Sequence, residues 1–167
     1  MDMTPPISHW IVQYFSGLAS GITMVAAGTH HNCALTNIGA VLCWGDNPSG
    51  QLGDGTTVNR ATPATVSGLN AGVAFITAGR AHTCALISSG AVQCWGSNDS
   101  GELGDGTSTP RTTLVDVPGL SSGVTAIAAG ASSSYAIMTG AHSSVGAAAA
   151  SETAPHPLVE PPQMSRG

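Results

Sequence analysis

The chain has 167 residues and a net charge of −5, and Asp, Glu, Lys and Arg together make up only 8% of it. Four basic residues are too few to neutralise a phosphate backbone, which argues against a nucleic-acid partner, and no apolar run reaches the length of a membrane span. The length suits one domain, and 22 glycines beside few aromatics favour short strands and tight turns over long helices.

Residues 1–14 are read as a poorly structured N-terminal segment. Trp10–Phe15 is apolar, but Asp2 stands where a signal peptide needs a basic region and no Lys or Arg precedes Arg60, so a cleaved signal is not expected. Strands are predicted at Ile22–Ala27, His31–Thr36 and Ala40–Trp44, the last two forming a hairpin around Asn37-Ile38-Gly39. A Gly/Asp/Ser-rich loop follows at 46–56, then a fourth strand at 62–67. The same series returns at Val73–Ala78, His82–Ile87, Ala91–Trp95, the loop 97–107 and a strand at 113–117. A third copy begins with Val124–Ala129 and follows the pattern to Met138. The segment 139–167, rich in Ala and Pro, lacks both the period and enough bulky apolar residues to pack, and is read as a disordered tail.

The series is a repeat with a period of 51 residues, Gly28 recurring as Gly79 and as Gly130. Residues 28–69 and 79–120 share 24 identities in 42 gapless positions. Gly17-Leu18-Ala19-Ser20-Gly21-Ile22 already matches Gly68–Val73 and Gly119–Val124, so the repeat region is placed at 15–138, with units of about 28–78, 79–129 and a partial 130–138. A period of this length marks a supersecondary unit that buries its apolar face against copies of itself. Four short strands per unit point to an all-β, partial β-propeller of four-stranded blades that does not close a ring within one chain.

Candidate chemistry is judged by whether it recurs. Cys33 and Cys43 lie opposite one another across the first hairpin, and Cys84 and Cys94 across the second. Two pairs of one geometry predict two intra-blade disulfides and favour an oxidising or extracellular compartment; the other reading is four buried thiols in a reduced protein. Zinc is not expected, because no Cys-x-x-Cys occurs. His31 and His82 each precede a cysteine by two residues. Recurrence in both full repeats, with Ser133 at that position in the third, favours a buried imidazole bonded to turn backbone over catalysis. Asp54 and Asp105 sit in Gly-Asp-Gly-Thr; turn formation is preferred to calcium ligation, because Asp46 has no acidic counterpart at Ser97. Trp44 and Trp95 are read as anchors of blade packing, and Arg60 and Arg111 as braces against a carboxylate or carbonyls. No nucleophile, phosphate-cradle or acid–base motif stands out, so neither catalysis nor a cofactor is expected.

The motifs Ala-Gly-x-x-His-x-Cys-Ala-Leu, Gly-Ala-Val-x-Cys-Trp-Gly and x-Asn-x-x-Gly-x-Leu-Gly-Asp-Gly-Thr, taken together over about residues 15–138, resemble the regulator of chromosome condensation repeat family. The paired cysteines resemble its bacterial branch. The resemblance implies a seven-bladed propeller, of which this chain holds two repeats and part of a third. The light-sensing branch's tryptophan is absent from Gly28–Asn32 and Gly79–Thr83, so photoreception is not implied. The expected function is a non-enzymatic scaffold binding a protein partner through loops, with self-association through open blade edges. Two other readings are a guanine-nucleotide exchange factor for a small GTPase and a secreted inhibitor of an enzyme.

Overall fold

The computed structural model describes residues 21–139. The expectations for residues 1–14 and for the tail beyond Thr139 lie outside the described residues. Ten strands and no helix occur among those described: β1 (Ile22–Ala27), β2 (His31–Thr36), β3 (Val41–Gly45), β4 (Arg60–Thr65), β5 (Val73–Ala78), β6 (His82–Ile87), β7 (Val92–Gly96), β8 (Arg111–Asp116), β9 (Val124–Ala129) and β10 (Ser134–Met138). They form two four-stranded antiparallel sheets, β1-β2-β3-β4 and β5-β6-β7-β8, and a two-stranded sheet of β9 and β10.

Each sheet opens at Ile22 or Val73 rather than at residues 28 and 79, where the repeat units were counted, because a period has no intrinsic origin and hydrogen bonding supplies one. The fourth strands also run earlier than expected, 60–65 and 111–116 against 62–67 and 113–117. Arg60 and Arg111 join the ladder opposite Gly45 and Gly96. Val66 and Val117 have left the strand for a turn, each donating its amide to the carbonyl of Val41 or Val92.

The hairpin turn forms around Thr36: Gly39 N donates to Thr36 O and Thr36 N to Ala40 O, both at 2.9 Å. Gly39 has a φ of 79°, and a Cβ there would lie 2.5 Å from the Gly72 amide nitrogen, so only glycine fits. Its tight approach ties the turn of one sheet to the entry of the next, since Val73 N donates to Gly39 O at 3.0 Å.

The sheets stack face to face, which is why β6, lying between two other sheets, is buried at His82 to Leu86 without alternation. Cys33, Leu35, Val41, Cys43, Leu52, Val66 and Leu69 of the first sheet pack with Val73, Ile76, Ala85 and Trp95 of the second. A second core repeats the arrangement between the second sheet and Val124, Ile127 and Ala136 of the third. Burying one such side chain contributes roughly 1.5–3 kcal/mol, so the seams between sheets hold much of the fold.

Candidate functional site

The cysteines occupy directly opposed positions, Cys33 across from Cys43 and Cys84 across from Cys94. The structure bonds each pair, with S–S separations of 2.08 and 2.12 Å, and leaves no free cysteine among the described residues. All four are buried beneath the next sheet.

His31 and His82 are buried, and a ring nitrogen of each reaches a side-chain hydroxyl of the next sheet. His31 Nε2 lies 2.9 Å from Thr83 Oγ1 in the next sheet, and His82 Nε2 lies 3.1 Å from Ser134 Oγ. Each hydroxyl spends its proton on a carbonyl of the preceding sheet's loop, Thr83 on Gln51 O at 3.0 Å and Ser134 on Glu102 O at 2.8 Å. The His31 imidazole must therefore donate from Nε2, which leaves its Nδ1 as a bare acceptor. Burial pushes the His31 pKa down to about 4, helped by the charge of His82 and opposed by Asp46. Burial likewise lowers that of His82, against the opposing charge of Glu102 and a hydrogen bond with the Ser133 backbone. Trp95 reaches the same carbonyl, its indole Nε1 donating to Gln51 O at 2.8 Å. Trp44 is buried on the opposite face of the first sheet.

Asp54 and Asp105 are turn carboxylates held by arginine. Asp105 Oδ1 accepts from the Thr107 amide at 2.9 Å and the Thr107 hydroxyl at 2.7 Å, while Oδ2 pairs with Arg111 Nη2 at 2.8 Å. Asp54 repeats the set with Thr56 and Arg60. Burial alone would raise these pKa values. The hydrogen bonds from threonine and arginine outweigh it, holding Asp105 at about 2 and Asp54 below its usual range. Among the described residues no group of three or more His, Cys, Asp or Glu is placed to hold a metal ion.

The residues that organise these loops include two that the sequence reading did not single out. Asn47 and Asn98 are fully buried. Asn98 Nδ2 donates to Asp105 Oδ1 at 3.0 Å, Thr107 O at 3.1 Å and Thr109 O at 3.2 Å, and its Oδ1 accepts from Leu103 N at 3.0 Å. Asn47 does the same for the first loop. Their recurrence inside the Asn-x-x-Gly-x-Leu-Gly motif was the signal that could have found them.

The recurring polar residues are thus consumed internally, and what differs between copies lies elsewhere. The β1–β2 and β3–β4 connections share one end of the sheet, where Asp46 N donates to His30 O at 2.9 Å. Thr29-His30 against Arg80-Ala81, Pro48 against Asp99, and 57–59 against 108–110 all emerge there, and all but the half-buried Ala81 are exposed.

Four-stranded antiparallel sheets stacked through their inner strands define a partial β-propeller. The chain belongs to the regulator of chromosome condensation (RCC1) repeat family, whose models match residues 39–86 and 89–137, and in a second form 22–51 and 73–102. It is 41% identical over 85 residues to human HERC4, covering 50% of this chain and 8% of that protein. It is 35% identical over 121 residues to the human E3 ubiquitin-protein ligase HERC2, covering 71% of this chain and 2% of that one. Yeast RCC1 (Prp20), solved with Kap60, superposes with a TM-score of 0.63 at 25% identity, over 74% of this chain and 29% of that one. Human WBSCR16 shares the fold, with a TM-score of 0.62 at 24% identity, over 74% of this chain and 31% of that one. The chain therefore spans only a small part of each.

Proposed function

We propose that the chain is a non-enzymatic segment of propeller that binds a protein partner through the loop end carrying His30, Arg80, Asp99 and Val58. The observation that carries this reading is the division of labour just described: recurring polar groups close on one another, while the positions that vary between copies are exposed together at one end of a rigid scaffold. The partners in the titles of the yeast RCC1 structures, Kap60, Gsp1p and histones, are proteins or protein assemblies, in keeping with it. The bonded cysteine pairs favour an oxidising compartment, and they are the basis for likening the chain to the bacterial branch, although the relatives named above are eukaryotic.

The test is a variant with His30, Val58, Arg80 and Asp99 all replaced by Ala. These side chains are exposed, so the melting temperature should hold while a co-purifying partner is lost. Retained partner binding would move the site off the loop end. A second reading, guanine-nucleotide exchange, is favoured by the likeness to yeast RCC1, whose Gsp1p binding is named with its structure. Accelerated nucleotide release from a small GTPase on adding the chain would replace the scaffold reading with that one.

A further inference from the structure

Asn98-Asp99-Ser100 is a sequon for N-linked glycosylation: an asparagine, any residue but proline, then a hydroxyl residue. Asn47 also has a serine two positions on, but Pro48 stands between them and cancels the sequon. The two loops are otherwise copies of one another, so only the second carries a glycan acceptor.

A transferase must reach the asparagine amide, which is why used sequons lie on exposed surface. Asp99 and Ser100 are exposed, but Asn98 turns inward and is 0% exposed. Its Nδ2, the atom to which a sugar is joined, donates to Asp105 Oδ1 at 3.0 Å, Thr107 O at 3.1 Å, Thr107 Oγ1 at 3.2 Å and Thr109 O at 3.2 Å. Ser100 is held as well, its amide donating to Glu102 Oε2 at 2.9 Å. Both ends of the loop are fixed. β7 enters it from the bridged Cys94, and Arg111 closes it against Asp105 at 2.8 Å.

The two states of Asn98 exclude one another. In glycan transfer Nδ2 forms a bond to the anomeric carbon of a lipid-linked oligosaccharide, the lipid pyrophosphate leaves, and one amide proton is lost. The closed loop offers that nitrogen no approach. Once glycosylated, Nδ2 keeps a single hydrogen among the four oxygens that surround it, and the sugar has no path out between them.

We propose that Asn98 accepts an N-linked glycan only while the loop 97–107 is open, and that a glycan attached first keeps the loop from closing. Folding and modification therefore compete for one nitrogen. The oxidising compartment that suits the disulfides is where the two would meet. Because the loop carries Asp99, the glycosylated chain would also lose part of the loop-end surface; that consequence alone rests on the proposed partner-binding role.

The test is transfer to the full chain by a purified oligosaccharyltransferase with a lipid-linked oligosaccharide, read by mass. The native disulfide-bonded chain is compared with reduced chain, held in the lowest urea concentration that leaves residues 98–109 unprotected in hydrogen exchange. The open chain should gain one glycan at Asn98, and Ser100→Ala should abolish it. The native chain should react roughly a hundredfold more slowly, in proportion to the fraction of loops transiently open. Pro48→Asp, at an exposed position, should add a second glycan at Asn47 of the open chain and none to the native one. After urea is removed and the thiols reoxidised, the glycosylated chain should stay unprotected at 98–109. Equal rates on native and open chain, no transfer to the open chain, or full protection of 98–109 in the refolded glycosylated chain would each overturn the proposal.

Discussion

His31 in the first sheet and Thr83 in the second meet across the seam at 2.9 Å, Nε2 to Oγ1, and the same hydroxyl donates onward to Gln51 O at 3.0 Å. One side chain thereby fixes the tautomer of the imidazole, satisfies a loop carbonyl and sets the register of two sheets. His82 and Ser134 repeat the relay at the next seam.

Replacing Thr83 by Val should cost about 1–3 kcal/mol, since it strands the buried His31 Nε2–H. Thr83→Ser, which keeps the hydroxyl as Ser134 does at the second seam, should cost well under half as much. Chemical denaturation of the two variants compares the losses directly; equal destabilisation would show that the methyl packing, not the relay, holds the seam.

Acid should weaken the fold in two stages. The folded-state pKa of His31 is depressed from 6.5 to about 4, so the native state binds the proton more weakly than the unfolded chain. Its contribution is whole above pH 6.5 and is lost as pH falls towards 4, an effect on the order of 3 kcal/mol. Asp105, depressed from 3.8 to about 2, contributes above 3.8 and loses that contribution only as pH falls below it. Replacing both His31 and His82 by Gln should flatten the stability profile between pH 6.5 and 4 and leave the lower stage in place.

Asn98→Ala should destabilise the second loop by about 2–4 kcal/mol, because it removes the amide donated to Asp105, Thr107 and Thr109 and leaves the buried Leu103 amide without an acceptor. Asn98→Asp should be worse than its volume suggests, as a second carboxylate would face Asp105. Hydrogen exchange at residues 98–109 is the readout, and protection equal to wild type would refute the assignment.

Each disulfide closes a short loop, its cysteines ten positions apart in sequence, for which chain entropy predicts about 3 kcal/mol. Replacing Cys33 and Cys43 together by Ala, or Cys84 and Cys94 together, should therefore lower stability by amounts of that order. Non-reducing mass spectrometry of native protein should find no free thiol among the four.

The repeat period carried much of this. Because Gly28, His31, Cys33, Trp44 and Asp54 each have a counterpart one period on, the strand series, the opposed cysteines and the bonded turn aspartates could be read without coordinates. Short-range pairing is encoded locally: a hairpin of given length places Cys33 opposite Cys43 whatever surrounds it. The contacts between sheets are not of that kind. Nothing near His31 in the chain points to Thr83, and Asn47 looked like one more polar loop residue until its amide was seen enclosed by Thr56, Val58 and Leu52.

By itself, then, the sequence determined the all-β class, the four-strand unit and the residues that recur within it. Only the tertiary structure decided where a sheet begins, which hydroxyl receives each buried histidine, and which faces of neighbouring sheets pack together. The reason is physical. Period and turn chemistry act within a few residues, whereas a seam is a matter of which faces pack in space, and packing reads shape without regard to distance along the chain.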